Sequence, residues 1–451
     1  MRLRRSCAGF WWSWGMSEWV SRRLGDLATI TSGGTPSTDI AAYWGGDIPW
    51  VTPTDITACR TNYLSETKNR ITQKGLQSCS AKLLPAGTIL FTSRATVGVS
   101  RVAGIPVSTN QGFKSLTPTK DIDGTFLFYQ IQRMRSAFER YAAGSTFPEI
   151  NKRDTERVLI PHPVDSGTQR KIAAILTSID TAIEKTEALI EKYQQIKAGL
   201  MHDLFTRGVL PNGQLRPPRE QAPELYQETG LGWIPRDWEI APLGIMLGKS
   251  GGYLQTGPFG SQLHAHEYQS EGVPVVMPQD INEGKIDTDA IARISEKRAK
   301  SLARHQLKIG DIIIARRGEL SRAAAVAEIE QGWLCGTGCF LLRLGRTQLN
   351  HFFFSHVYRY DYIQRQIAGT QVGTTMPSLN NSVMSRVRFP CPTQNEQNEI
   401  SARLNNAEGE IDKLRGHSEK LKLQKLGLMQ DLLTGKVAVP VNAPVPEELG
   451  G

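Results

Sequence analysis

The feature that most constrains this chain is that it is written twice. MSEWVSRRLGDLATITSGG (16–34) resembles PRDWEIAPLGIMLGKSGG (235–252): Trp19 matches Trp238, Leu24-Gly25 matches Leu243-Gly244, and Gly33-Gly34 matches Gly251-Gly252. AGTILFTSRATVG (86–98) answers IGDIIIARRGELS (309–321), each with a glycine opening a β-rich apolar run that ends in arginine. GSTFPEINKRDTERVLIPHP (144–163) answers GTTMPSLNNSVMSRVRFPCP (373–392) at an offset of 229, and AGLMHDLFTRGV (198–209) answers LGLMQDLLTGKV (426–437) at 228. A repeat of half the chain length implies two related globular pieces, each followed by a helix.

The helices carry the clearest periodicity. Ile172, Leu176, Ile179, Ile183, Ile190, Tyr193, Leu200 and Leu204 advance in alternating steps of four and three, with gaps at single positions. Ile400, Leu404, Ala407, Ile411, Leu414, Leu421, Leu428 and Leu432 do the same in one shared register. This is the apolar seam of a coiled coil. Lys197 and Lys425 interrupt it at the same step and are read as stems that snorkel past the seam rather than as residues that set register. Gln169 to Phe205 makes a rod of about 55 Å at 1.5 Å per residue. If the second helix packs on the first and runs back, the two are antiparallel, with one domain near each end.

Between the helices lie short strand candidates such as TILFTS and DIIIAR, helical stretches such as 126–142, and Gly/Pro turns. The fold class is therefore α/β in the mixed α+β sense. Two related globular domains are separated by two long antiparallel coiled-coil helices, with pseudo-two-fold symmetry. The expected boundaries are an N-terminal extension at 1–16, read as disordered or mis-assigned with Met16 the true start; domain one at 17–165; spacer helix one at 166–208; a Pro/Gly-rich linker at 209–231; domain two at 232–394; spacer helix two at 395–437; and a disordered tail at 438–451. Strand order does not follow from the sequence.

LGIMLGKSGG (243–252) resembles a phosphate-binding loop, but only three residues separate Gly244 from Gly248 where four are required, and no buried strand precedes it. It is also the second copy of an entry segment whose first copy has no lysine there. Six cysteines are scattered without a C-x-x-C pair, which suits reduced, mostly buried thiols in the cytoplasm rather than a zinc site. No stretch reaches the ~18 apolar residues of a membrane span. Lys plus Arg (53) exceed Asp plus Glu (44), an excess that suits a polyanionic partner.

Together these segments resemble the specificity subunit of a type I restriction–modification system. The carriers are GWIPRDWEIAPLG (232–244), TGPFGSQL (256–263) followed by EGVPVVMPQDINEGKI (271–286), and the paired endings GLMHDLFT and GLMQDLLT; the resemblance runs from about 17 to 437. It implies two target-recognition domains, each reading half of a split, asymmetric double-stranded DNA site. It also implies helices that set the spacing and dock methyltransferase (M) subunits. Those partners use S-adenosylmethionine to methylate adenine, and restriction/translocase (R) subunits use ATP and Mg2+ to move and cut DNA. The chain itself is expected to be non-catalytic, to hold no metal or cofactor, to associate with no membrane, and to be cytoplasmic. No methyltransferase motif and no convincing nuclease cluster is found in it. Two other readings stay open at this point: an ATPase or nuclease in its own right, and a structural coiled-coil scaffold.

Candidate DNA contacts follow from side-chain chemistry, since Arg suits guanine and Gln or Asn suits adenine. In domain one they are Thr35 and Ser37 within SGGTPST, whose glycines are read as letting backbone approach DNA; Thr52 and Thr54; Arg94; Lys114; and Ser145-Thr146. In domain two they are Ser261, Gln262 and His264; Gln279; Arg316 and Arg317; and Thr374-Thr375. Each has a plain structural alternative: Gly-Ser-Thr runs form turns, and the arginines could be ion-pair partners. Charges on the first helix nearly balance, Arg170, Lys171, Lys185, Lys192, Lys197 and Arg207 against Asp180, Glu184, Glu187, Glu191 and Asp203, which suits protein docking better than DNA along the rod. Leu200-Met201 and Leu428-Met429 are apolar beyond the needs of one seam and are taken as partner-docking residues.

Overall fold

A computed structural model describes residues 18–94, 96–142, 148–259, 262–346, 349–370 and 378–439. The chain forms two compact units, residues 1–189 with 414–451, and residues 190–413. The division falls inside both long helices, Ser166–Thr206 and Gln394–Leu432. Each unit owns one mixed α/β domain and half of each helix.

In the first unit, Ala28–Ser32, Lys114–Pro118, Ile89–Phe91, Ser100–Ala103 and Tyr63–Leu64 form a sheet in that spatial order. A smaller sheet flanks Trp44–Val51 with Asn69–Ile71, antiparallel, and Ser108–Thr109, parallel. Trp19–Arg23 pairs with Leu159–Pro163 just before the long helix. The second unit repeats the first four strands of the main sheet, and the smaller sheet, in the same order and senses. Its main sheet runs Tyr253–Thr256, Cys339–Arg343, Ile312–Ala315, Ala323–Ala325. Val273–Val276 pairs antiparallel with Ala292–Ile294 and parallel with Leu334–Cys335, and Glu239–Pro242 pairs with Arg388–Cys391. The central strands Ile89–Phe91 and Ile312–Ala315 are buried throughout. Continuous apolar runs, entered from Gly87 and Gly310 at φ +85 and +84, suit strands covered on both faces.

One sequence match is corrected. Ser32 pairs with Lys114 and Thr256 with Phe340, so the counterpart of Gly33 is Gly257, not Gly251. The difference arises because the helix Leu243–Ser250 is eight residues long where Leu24–Leu27 is four. Gly251, at φ 69, is its left-handed cap. GKSGG is thus a helix end, with Ser250 Oγ donating to the Leu344 carbonyl at 2.8 Å, and not a loop curled around phosphate.

Each spacer helix is hooked to its domain by a buried glutamine in its first turn. Gln169 accepts from Asp123 N at 2.7 Å and donates to the Pro163 carbonyl at 2.8 Å. Gln397 accepts from Asn350 N at 2.7 Å and donates to the Pro392 carbonyl at 2.9 Å. A polar side chain this deep persists because both ends are satisfied.

The seam is as the periodicity requires, but the two lysines are not stems passing by. In the first unit Lys425 Nζ lies 2.7 Å from Asp180, and Lys422 lies 3.1 Å from Glu187; rising numbers on one helix meet falling numbers on the other, so the half-helices are antiparallel. In the second unit Lys197 Nζ lies 2.7 Å from Glu408. Both pairs are 12–19% exposed, and each joins one helix to the other at the same step of the repeat. The snorkelling reading is therefore replaced by a register-setting one: a charge this dry needs a fixed partner. Each pair also reaches the domain. Tyr129 Oη donates to Asp180 at 2.7 Å, while Arg359 lies 3.0 Å from Glu408. Burial opposes the Glu408 charge, yet the Arg359 and Lys197 cations, with His356 beside them, hold its carboxyl below the ordinary value.

Residues 209–231, read as a linker, are a folded part of the second unit. Val209, Ala222, Tyr226 and Leu231 are buried, and Tyr226–Thr229 pairs with Gly232–Pro235. Arg216, 4% exposed, bridges Glu396 at 2.5 Å and Asp237 at 2.7 Å, while Trp238 Nε1 and Val209 N also donate to Glu396. The Pro/Gly composition gave no sign of this because its partners lie far along the chain.

The four residues assigned to partner docking also touch the domain cores. Met429 is in the core of the first unit with Leu428 against it, and Leu200 and Met201 pack on the core of the second. Met429 is buried, while Leu200, Met201 and Leu428 keep part of their surface open. On the two long helices the large apolar side chains left exposed, among the described residues, are Leu189, Ile196, Leu423 and Leu426. The terminal segments 1–17 and 440–451 lie outside the described residues.

Candidate nucleic-acid interface

Four loops converge at one end of the central strands in each domain. The first follows the entry strand. Its glycine packs on the second loop in both copies: a Cβ on Gly33 would meet the Asn110 carbonyl at 2.0 Å, and one on Gly257 the Gly336 carbonyl at 1.9 Å. The second spans 110–113 and 336–339, and is tied to the adjacent sheet by Asn110 N to Val51 O and Gly336 N to Val276 O. The third is a capped turn after the smaller sheet: Thr52 N and Met277 N each donate 2.8 Å to the carboxylate of Asp55 and Asp280. The fourth leaves the central strand, where Ser93 N and Arg316 N bond the Gly112 and Gly338 carbonyls at 2.7 and 2.8 Å. Its carbonyls in turn receive Ile150 N and Leu379 N.

This shared frame aligns positions that the sequence alone leaves unpaired. Thr35 stands where Phe259 does, Thr54 where Gln279 does, Ser93 where Arg316 does, Arg94 where Arg317 does, and Lys114 where Phe340 does. The isolated bridges Arg94–Glu149 and Arg317–Ser378 place Glu149 and Ser378 together. Thr54 and Gln279, both chosen from sequence as DNA contacts, are exposed at the same point of the same turn.

The remaining candidates divide. Thr35 is exposed and donates to Gln111 Oε1. Ser37 is exposed, its carbonyl accepting from Trp44 Nε1 at 3.0 Å. Thr52 is committed to its capping box, with Oγ1 2.6 Å from Asp55, so its hydroxyl serves the turn rather than a ligand. Gln262 is exposed but accepts from Phe259 N at 3.3 Å. His264 is exposed, caps a short turn through Glu267 and stacks on His266 at 5.4 Å. Ser145, Thr146, Ser261, Thr374 and Thr375 lie outside the described residues. The glycines of SGGTPST serve the protein's own packing: a Cβ on Gly33 would lie 2.0 Å from the Asn110 carbonyl, and one on Gly34 2.6 Å from Ala81 N.

The electrostatics of the two frames differ. In domain one Arg94 lies 2.9 Å from Glu149, and Lys114, 8% exposed, lies 3.9 Å from the same carboxylate and 3.4 Å from Ser93 Oγ. Burial pulls the Lys114 ammonium below its usual value while Glu149 pulls it back. In domain two Arg316 lies 5.6 Å from the centroid of Phe340 and 6.0 Å from that of Phe259. Burial, then the neighbouring Arg317, lowers its proton affinity. Among the described residues no carboxylate bridges Arg316 or Arg317. Phe259, Phe340, Glu149 and Gln111 were missed in the sequence. The signal that could have found them is the copy-to-copy alignment, once the longer helix at 243–250 is allowed for.

Residues 16–195 and 255–423 match the family model of the type I restriction modification DNA specificity domain. The chain belongs to that family. It is 27% identical over 379 residues to the type I restriction enzyme MjaIX specificity subunit of Methanocaldococcus jannaschii, covering 84% of each chain. It is 23% identical to the MjaVIII specificity subunit of the same organism, over 94% of this chain and 93% of that one. In fold it is similar to the crystal structure of a type I restriction–modification S subunit from M. genitalium, with TM-score 0.59, 17% identity, and 93% and 96% of the two chains covered. A chain solved in work on complex assembly and conformational transition of the type I R-M system gives TM-score 0.52 at 17% identity over 93% of this chain and 98% of that one. This specificity subunit thus carries two DNA specificity domains of mixed α/β fold. Among the described residues no helix is long and apolar enough to cross a membrane, and no group of His, Cys, Asp and Glu could hold a metal. Cys335 and Cys339 are buried, which pushes both thiols well up, while Cys59, Cys79 and Cys391 are partly buried.

Proposed function

We propose that each domain reads one half of a bipartite, asymmetric DNA site through the four-loop frame, and that the paired helices set the gap between the halves and dock methyltransferase subunits. The observation that carries this is the recurrence of one backbone frame with different exposed side chains: Thr35, Thr54, Arg94 and Glu149 against Phe259, Gln279, Arg317 and Ser378. A common scaffold with exchanged loop residues is what two different short sequences require. Catalysis belongs to the partners: M subunits with S-adenosylmethionine, and R subunits with ATP and Mg2+. This chain supplies the address. Mapping methylated adenines in the source genome with and without the chain tests the reading. A split asymmetric motif that disappears without it is the expected result; an unchanged methylation pattern overturns it.

A further inference from the structure

We infer that Arg316, held between Phe259 and Phe340, is the base-reading group of the second domain, and that it recognises a guanine in that domain's half-site. This rests on the function proposed above and goes further by naming the residue and the base.

Phe259 is 53% exposed, so its ring stands at the surface of the frame, where a ligand can reach it. It sits on the entry loop two residues after Gly257, whose Cβ position is closed off by the Gly336 carbonyl at 1.9 Å, so the loop is fixed against the rest of the frame. Thr337 Oγ1 adds a 2.8 Å bond to the Pro258 carbonyl. Arg316 is half-buried beside this ring, with Phe340 also within cation–π distance, and Nε donates to the Leu379 carbonyl at 3.4 Å. The guanidinium is therefore anchored on one edge, within cation–π distance of two phenyl rings, and free of any carboxylate among the described residues. A planar fork of donors held in one plane is suited to the two acceptors, O6 and N7, that guanine shows in the major groove. Arg317, next to it and exposed, has no aromatic or carbonyl contact from its guanidinium among the described residues and suits phosphate. In the first domain Thr35, Ser93 and Lys114 occupy the places of Phe259, Arg316 and Phe340, so this arrangement belongs to one half-site only.

The test uses the assembled methyltransferase complex and a DNA pool randomised in both half-sites. Arg316→Lys keeps the charge and removes the planar fork; Phe259→Ala removes a half-exposed ring. Each is expected to lower the preference for guanine at the same single position of the second half-site by about ten- to a hundredfold. The first half-site is read unchanged in the same molecules and reports that the complex is folded. Arg317→Ala is expected to weaken all sequences alike and to reduce the salt dependence by about one unit of slope. Full retention of guanine preference in both Arg316→Lys and Phe259→Ala overturns the inference, as does loss confined to an A·T position. Loss at both half-sites in both variants identifies a structural role and also overturns it. A wild-type complex with no sequence preference at all would overturn the parent reading instead.

Discussion

The two recognition domains share a frame and differ in how they treat charge. In the first, two cations share one carboxylate, Arg94 and Lys114 on Glu149. In the second, two arginines stand without one among the described residues, and aromatic rings occupy the positions of Thr35 and Lys114. The matched backbone hydrogen bonds at Asn110 and Gly336, Ser93 and Arg316, and Ile150 and Leu379 are nearly the same length in both. What is read is thus separable from what holds the loops in place, because the loops are fixed by main-chain groups that any side chain leaves intact.

Below the frame the asymmetry continues. The first turn of the second helix carries Glu396, which holds Arg216, Trp238 and Val209; Thr168 stands there in the first helix. Glu396→Ala leaves the buried Arg216 guanidinium with the largely exposed Asp237 as its remaining carboxylate among the described residues, strips Trp238 Nε1 and Val209 N of their acceptor, and is expected to cost the second domain about 3 kcal/mol. Thermal unfolding followed by domain-specific hydrogen exchange checks this, and equal loss of protection in both domains would break the comparison.

The seam ion pairs are where the two halves agree. Lys425→Met and Lys197→Met each leave a nearly dry carboxylate and are expected to cost about 2 kcal/mol apiece. Unequal effects, read as shifts in denaturant midpoint, would show that one pair is supported more by its domain than the other.

Acid should separate the domains again. Burial brings His356 down to about 4, and Tyr129 occupies the matching place in the first domain. The unfolded chain binds a proton near pH 6.5 that the folded chain refuses, so stability is lost as pH falls from about 6.5 towards about 4. Between pH 6.5 and 5.5 the second domain should weaken by about 1 kcal/mol. His356→Gln should flatten that dependence, and a flat wild-type profile would refute the assignment.

The smallest stability effect is expected at the frame itself. Arg94 and Glu149 are 50% and 38% exposed, so Glu149→Gln should change stability by under about 1 kcal/mol. It should nonetheless make DNA binding more salt-dependent, by up to about 0.9 in slope, because a cation is released for phosphate. Unchanged salt dependence would indicate that the first frame faces away from DNA.

The sequence by itself determined the duplication, the two long helices, their seam and the matching of Arg94 with Arg317. These are local or strictly periodic signals, and a helix keeps its apolar positions on one face wherever it is placed. Tertiary structure decided what depends on partners distant in sequence. It paired Lys197 with Glu408 and Lys425 with Asp180, and folded 209–231 into the second domain. It placed Met429 in a core and brought Phe259 to the position of Thr35. Strand register decides which side chains meet, and an extra helical turn of the kind at 243–250 shifts the alignment without leaving a periodic trace.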